Sequence, residues 1–146
     1  MENIDLLIKE LCSKNHTEAY KTFLFLENES KKSNITYCFF DYFLEMINNE
    51  SSYIRTRGLL LIVANAKWDT DNKIEMNIDS ILSHIVDKKP SVSRNFIQSL
   101  PNIIKYKKQL IHRIRAELSN ADINIYNDNM KSLVEKDIRN TLSNLE

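Results

Sequence analysis

The sequence predicts an all-α protein, and three observations carry that reading. Apolar residues recur at three- and four-residue spacings along nearly the whole chain, the period of a helix that buries one stripe. The 146 residues include one glycine, Gly58, and two prolines, Pro90 and Pro101, too few turn formers for a fold of many hairpins. Hydrophobic residues at 42% and charged residues at 27% suit a chain of single-domain length that folds around a core.

The first helix is predicted from Ile4, Leu7, Ile8 and Leu11 and ends near residues 13–15. A second begins at His16–Thr17, with Thr17 as its N-cap, and carries Tyr20, Phe23, Leu24 and Leu26 until the polar stretch 27–34 breaks it. The third presents Ile35, Phe39, Phe43, Met46 and Ile47 and stops at Asn48–Asn49. Ser51 or Ser52 caps the fourth, from Tyr53 to about Lys67, whose middle is apolar all round and is therefore expected to be central. After a loop at 68–72, one helix is expected to place Ile74, Ile78, Ile81, Leu82 and Ile85 on a single stripe. The helix restarted by Pro90 carries Val92, Phe96, Ile97, Leu100 and Ile104, with a kink or break at Pro101. Leu110, Ile111, Ile114 and Leu118 mark the next. After a loop at 120–127, Leu133, Val134, Ile138, Leu142 and Leu145 mark the last.

These helices fall into four consecutive pairs whose later second members repeat. Arg57, Leu59 and Val63 align with Arg94, Phe96 and Leu100, and these with Lys136, Ile138 and Leu142. Two helices recurring at about 40 residues is the pattern of an α-solenoid. Asp87, Val92 and Arg94, and likewise Ile54 with Arg55, resemble the opening of the second helix in HEAT/armadillo repeats. They depart from it where the β-branched residue and the arginine are not adjacent, and where the final repeat carries Lys136. The resemblance covers residues 35–146. It implies a right-handed α-α superhelix, a HEAT/ARM-like solenoid of about four antiparallel helix pairs in one domain over 1–146. An atypical capping pair at 1–34 precedes repeat pairs at 35–68, 72–104 and 107–146. The whole chain is also similar to small bacterial HEAT-like proteins, a likeness that implies no activity. A plain helical bundle is the alternative architecture.

Composition narrows function by exclusion. With one glycine, neither a P-loop nor a dinucleotide fingerprint can be written. Twenty basic and twenty acidic residues cancel, so no global field draws the chain to nucleic acid or membrane. No signal peptide or membrane span is visible, and Cys12 and Cys38 lack any paired-motif spacing, so a reduced cytoplasm is expected. His16, His84 and His112 form no metal-ligand spacing, and no nucleophile motif is present. No cofactor and no catalytic residue is therefore expected.

Two features remain as binding candidates. In the loop after Trp68, Asp69 and Asp71 alternate as in the start of a calcium loop, but the glycine and the terminal glutamate are missing. Asp71 or Asn72 is the expected cap of the next helix, and Trp68 a wedge between repeats. Residues 88–115 carry eight basic residues and no acid. In one reading these solvate a face, and Arg57, Arg94 and Lys136 pair with acids of neighbouring repeats. In the other, Arg55, Arg57, Arg94 and Lys136 line the second-helix face, beside Trp68 and Asp69, and meet an acidic partner.

The leading expectation is thus a non-enzymatic scaffold that binds another protein or an acidic peptide. A second is nucleic-acid binding, since the DNA-alkylation-repair glycosylases resemble this architecture; there Trp68 and Asp69 would approach a damaged nucleotide. A third is a structural or homodimerising domain, because Phe39, Phe40, Tyr42 and Phe43 cannot all face one core stripe.

Overall fold

The computed structural model describes residues 3–145, and every regular element among them is helical. No helix among the described residues is long and apolar enough to cross a membrane. The chain divides into two compact units, one reaching to Lys73 and the other beginning at Ile74.

The first unit holds α1 (Ile4–Glu10), α2 (His16–Lys32), α3 (Phe40–Met46) and α4 (Ser52–Ala64). Asn3 caps α1, its Oδ1 accepting from the amides of Asp5 and Leu6. The cap of α2 is Asn15, which accepts from Glu18 N at 3.2 Å, and not Thr17. Asn15 is the residue that still lies outside helical φ/ψ, as an N-cap must, whereas Thr17 is already inside the first turn. Packing follows the apolar pattern: α4 lies against α2 and α3, and α1 against α2. Phe40, Phe43, Ile47, Leu61 and Ile62 are all fully buried.

The second helix does not break at residue 27 but runs to Lys32. A buried polar network explains why. Ser30 Oγ donates to the Leu26 carbonyl at 2.8 Å and lies 2.7 Å from the Thr36 hydroxyl, which donates to Asn65 Oδ1 at 3.1 Å. Asn65 Nδ2 returns to Ser30 Oγ and to the Leu61 carbonyl. Three polar side chains with no solvent exposure thereby satisfy one another, at a position where an unpaired group would cost about 1–3 kcal/mol. Leaving the helix earlier would orphan them.

Gly58 sits where α4 meets α3. A Cβ built there would stand 2.8 Å from Met46 Cβ, 3.0 Å from the Phe43 carbonyl oxygen and 3.2 Å from Ile47 Cγ2. The only glycine of the chain is therefore a contact surface, allowing two helix backbones to approach closely.

The second unit contains α6 (Ile78–Leu82), α7 (Pro90–Tyr106), α8 (Ile111–Ser119) and α9 (Asp128–Ser143), and α5 (Lys73–Met76) begins at the junction. The single helix expected over 74–85 is divided. Asn77, at φ −119° and ψ 22°, separates α5 from α6, and the stretch ends in a tight 3₁₀ turn at Ser83–Val86. Its apolar stripe survives, with Ile74, Ile81, Leu82 and Ile85 buried. Asp87 organises the restart: its carboxylate meets His84 Nδ1 at 2.7 Å and Lys89 N at 2.9 Å, and its carbonyl accepts from Tyr126 Oη at 2.5 Å. The helix α7 packs on the 83–86 turn and on α9, which also holds α8.

Pro101 lies inside α7 without ending it. A proline lacks the N–H that would bond the carbonyl four residues earlier, here that of Ile97. Thr141 of α9 supplies the missing donor, its hydroxyl lying 3.3 Å from the Ile97 oxygen. The helix survives its proline because its neighbour completes the ladder.

Two outcomes follow for equilibrium urea denaturation. Gly58→Ala should destabilise by about 1–3 kcal/mol through overpacking against α3, although alanine would gain about 1 kcal/mol in an exposed helix; a stabilised variant would show that α3 yields freely. Thr141→Val should cost about 1–2 kcal/mol in the parent chain and distinctly less in a Pro101→Ala background, where Ile97 regains a backbone donor. Equal costs in the two backgrounds would separate Thr141 from the proline.

Candidate functional site

The basic residues proposed from sequence divide by what they touch. Arg55 and Arg57 are buried, at 3% and 4% exposure, because α4 is enclosed along most of its length. Arg55 Nη1 donates to the carbonyls of Asn49 and Glu50 at 3.1 and 2.9 Å. Arg57 Nη1 donates to the Leu11 carbonyl at 2.7 Å, and its Nη2 lies 3.0 Å from His16 Nδ1. A guanidinium can only donate, so that ring nitrogen is the acceptor. Burial holds the Arg57 pKa below its ordinary value. Both charges are directed inward, Arg57 onto the end of α1 and Arg55 onto the loop between α3 and α4, and the picture of them lining an open surface does not describe these two positions.

Beside them, Tyr42 Oη donates to Cys12 Sγ at 3.4 Å, and burial together with that bond pushes the phenol up to about 12. Of the aromatics expected to include partner-seeking ones, Phe40 and Phe43 are buried within the fold, and Phe39 and Tyr42 are partly covered.

Trp68 and Asp69 are adjacent in the chain but serve different partners. The indole Nε1 donates to the Ser30 carbonyl at 2.6 Å, while Lys67 Nζ, 4.7 Å from the indole ring centre, donates to the Lys31 carbonyl at 2.7 Å. Asp69 is 5% exposed and accepts from Tyr37 Oη at 2.5 Å and from Lys73 N at 2.9 Å. Burial, reinforced by the Asp69 carboxylate, raises the Tyr37 pKa. Asp69 thus supplies the hydrogen bond to the start of α5 that was expected of Asp71 or Asn72. Asn72 turns the loop with a φ of 58°.

In the second unit Arg94 Nε pairs with Asp137 at 2.6 Å, joining α7 to α9, and this bond raises the Arg94 pKa. Lys136, one residue from that carboxylate, is exposed and makes no ion pair with a described residue.

The acid-free interval 88–115 draws its counter-charges from outside itself. Lys107 is bound by Glu75 at 2.7 and 3.0 Å, and Arg113 by Asp79 and Glu117 at 2.5 and 3.1 Å. Arg115 donates to the Leu145 carbonyl. Lys88, Lys89, Lys105 and Lys108 are left exposed, none in an ion pair with a described residue. The first two precede α7 and the others bracket its C-terminal end, so a helix of 17 residues holds them about 25 Å apart at 1.5 Å per residue. Among the described residues no group of three or more His, Cys, Asp or Glu is placed to hold a metal ion.

No protein-family model matches the chain, and neither a curated protein nor a solved structure matches it.

The internal arginines and the exposed lysines should behave oppositely on neutralisation. Arg57→Met should lower stability by about 1–3 kcal/mol, since two acceptors lose a charged donor. Lys136→Met should stay within about 0.5 kcal/mol. Thermal denaturation of both variants checks this, and a neutral Arg57→Met would remove the structural role.

Proposed function

We propose that this chain is a HEAT-like stack of helix pairs that works as a non-enzymatic module, holding an acidic segment of another protein. The packing within each unit supports the stack. In the first unit α4 lies on its hairpin partner α3 and on α2, the second helix of the preceding pair; in the second, α9 lies on α8 and on α7. Contact of each second helix with its own partner and with the previous second helix is how a solenoid of such pairs is assembled.

The observation that carries the binding reading is the set of four exposed lysines, Lys88, Lys89, Lys105 and Lys108, in a stretch without acids. Arginines of the same stretch are consumed internally, so this part of the second unit presents ammonium groups to solvent with no described acid paired to them. An acidic partner is steered to such a surface and held in register by it. An exposed charge pair contributes only about 0.2–1 kcal/mol, so the lysines account for selection and orientation, and lasting association needs apolar contact as well.

Fluorescence anisotropy with a labelled peptide of alternating glutamate and leucine tests the reading. Binding should weaken at least about tenfold in the variant Lys88→Glu/Lys89→Glu/Lys105→Glu/Lys108→Glu, a loss of about 1.4 kcal/mol or more. Unchanged affinity in that variant, or tighter binding of duplex DNA with the steep salt dependence of phosphate contacts, would overturn it.

A further inference from the structure

The end of α7 opens onto a cleft of about 340 Å³. Its described wall is largely apolar, from Pro101, Ile104, Ile111 and Leu145, with Asn144, Lys105 and Lys108 beside them and no acid among the described lining residues. Three local features make it. Lys107, at φ −135° and ψ 66°, breaks the path from α7 toward α8, so that α7 ends and a 3₁₀ turn at Lys108–Leu110 begins. The side chain of Lys107 is buried against Glu75, while those of Lys105 and Lys108 on either side are exposed. Finally, Arg115 holds the Leu145 carbonyl, which fixes Leu145, beyond α9, as part of the wall.

We infer that this cleft is the anchoring point for the acidic segment: an aliphatic side chain of the partner enters it, and carboxylates next to that side chain meet Lys105 and Lys108. This inference rests on the proposed acidic-partner function and names where and by what chemistry it acts. Charge complementarity selects the occupant. Two ammonium groups, neither paired with a described acid, stand at an apolar recess, so a purely apolar occupant would leave them unanswered and a purely acidic one would leave the recess wet. Size agrees, because about 340 Å³ lies at the lower end of ligand sites, about 300–1,000 Å³. Such a recess takes one or two side chains of a peptide more readily than it encloses a long acyl chain. The anchor also supplies the apolar contact that the lysines alone lack.

Methyl NMR on the isoleucine-labelled full chain tests the inference with two peptides, one of alternating glutamate and leucine and one in which serine replaces every leucine. The leucine peptide should shift the Ile104 and Ile111 methyl signals and bind at least about tenfold more tightly than the serine peptide, equivalent to about 1.4 kcal/mol. Lys105→Glu/Lys108→Glu, at two exposed positions, should abolish those shifts, whereas Lys88→Glu/Lys89→Glu should leave them in place. If both peptides bind alike with the two methyls unmoved, the cleft is not the anchor, although the acidic-partner reading stands. If neither peptide binds, both readings fall. If dodecanoate moves the methyls and the leucine peptide does not, the cleft takes a fatty acid and the inference is overturned.

Discussion

Every helix must find donors for the last carbonyls it leaves without a backbone partner, and in this chain long side chains from other elements meet part of that demand. The usual answer is a glycine in the left-handed conformation just past the helix. Here the one glycine is buried inside α4, and Asn72 is the only described residue with a positive φ. Long cationic and indole side chains do the work instead. Arg57 reaches Leu11 at the end of α1, Arg55 reaches Asn49 and Glu50 beyond α3, Lys67 and Trp68 cover Lys31 and Ser30 at the end of α2, and Arg115 holds Leu145 beyond α9. At the ends of α1 and α2 the positive groups of Arg57 and Lys67 are favoured electrostatically as well.

A division of labour between the two basic residue types results. Arginine carries several donors in a rigid fork and suits buried, shared contacts, whereas lysine keeps its strongly hydrated ammonium in water. All six arginines of the sequence are engaged: Arg55, Arg57 and Arg115 with carbonyls, and Arg94, Arg113 and Arg139 with carboxylates. Lys107 is the lysine that joins them inside, against Glu75. The exposed lysines of residues 88–115 are then what remains to act outward. The chain is neutral overall, yet this segment meets solvent as a cationic surface.

Buried polar side chains hold the fold together in the same economical way. Ser30, Thr36 and Asn65 close a network with no solvent access, and Thr141 completes the helix that Pro101 would otherwise interrupt. In both cases a small hydroxyl substitutes for a backbone donor or joins two polar groups, so interior packing is kept without orphaned carbonyls. The close approach at Gly58 is the counterpart in volume: where two backbones must nearly touch, even a methyl group does not fit.

By itself the sequence determined the helical class, the position of nearly every helix and most of the apolar residues that turn inward, because those depend on a local period and on burial of one face; Tyr20, Leu24, Ile35 and Leu133, expected on the apolar stripes, are exposed. It also marked Pro90 as a helix start, Asn48–Asn49 as a stop and the acid-free stretch as the charged one. Only the tertiary structure decided that Asn15 rather than Thr17 caps α2, that α2 continues through its polar residues, that Asn77 divides the next helix and that Pro101 is tolerated. It alone turned Arg55 and Arg57 inward, gave Arg94 to Asp137, and left the lysines beside the cleft exposed. Each of these is settled by a partner distant in the chain, such as Thr36 for Ser30, Leu11 for Arg57 or Thr141 for Ile97. Periodicity and spacing report which face of a helix is buried, but not which donor will meet which carbonyl once the faces come together.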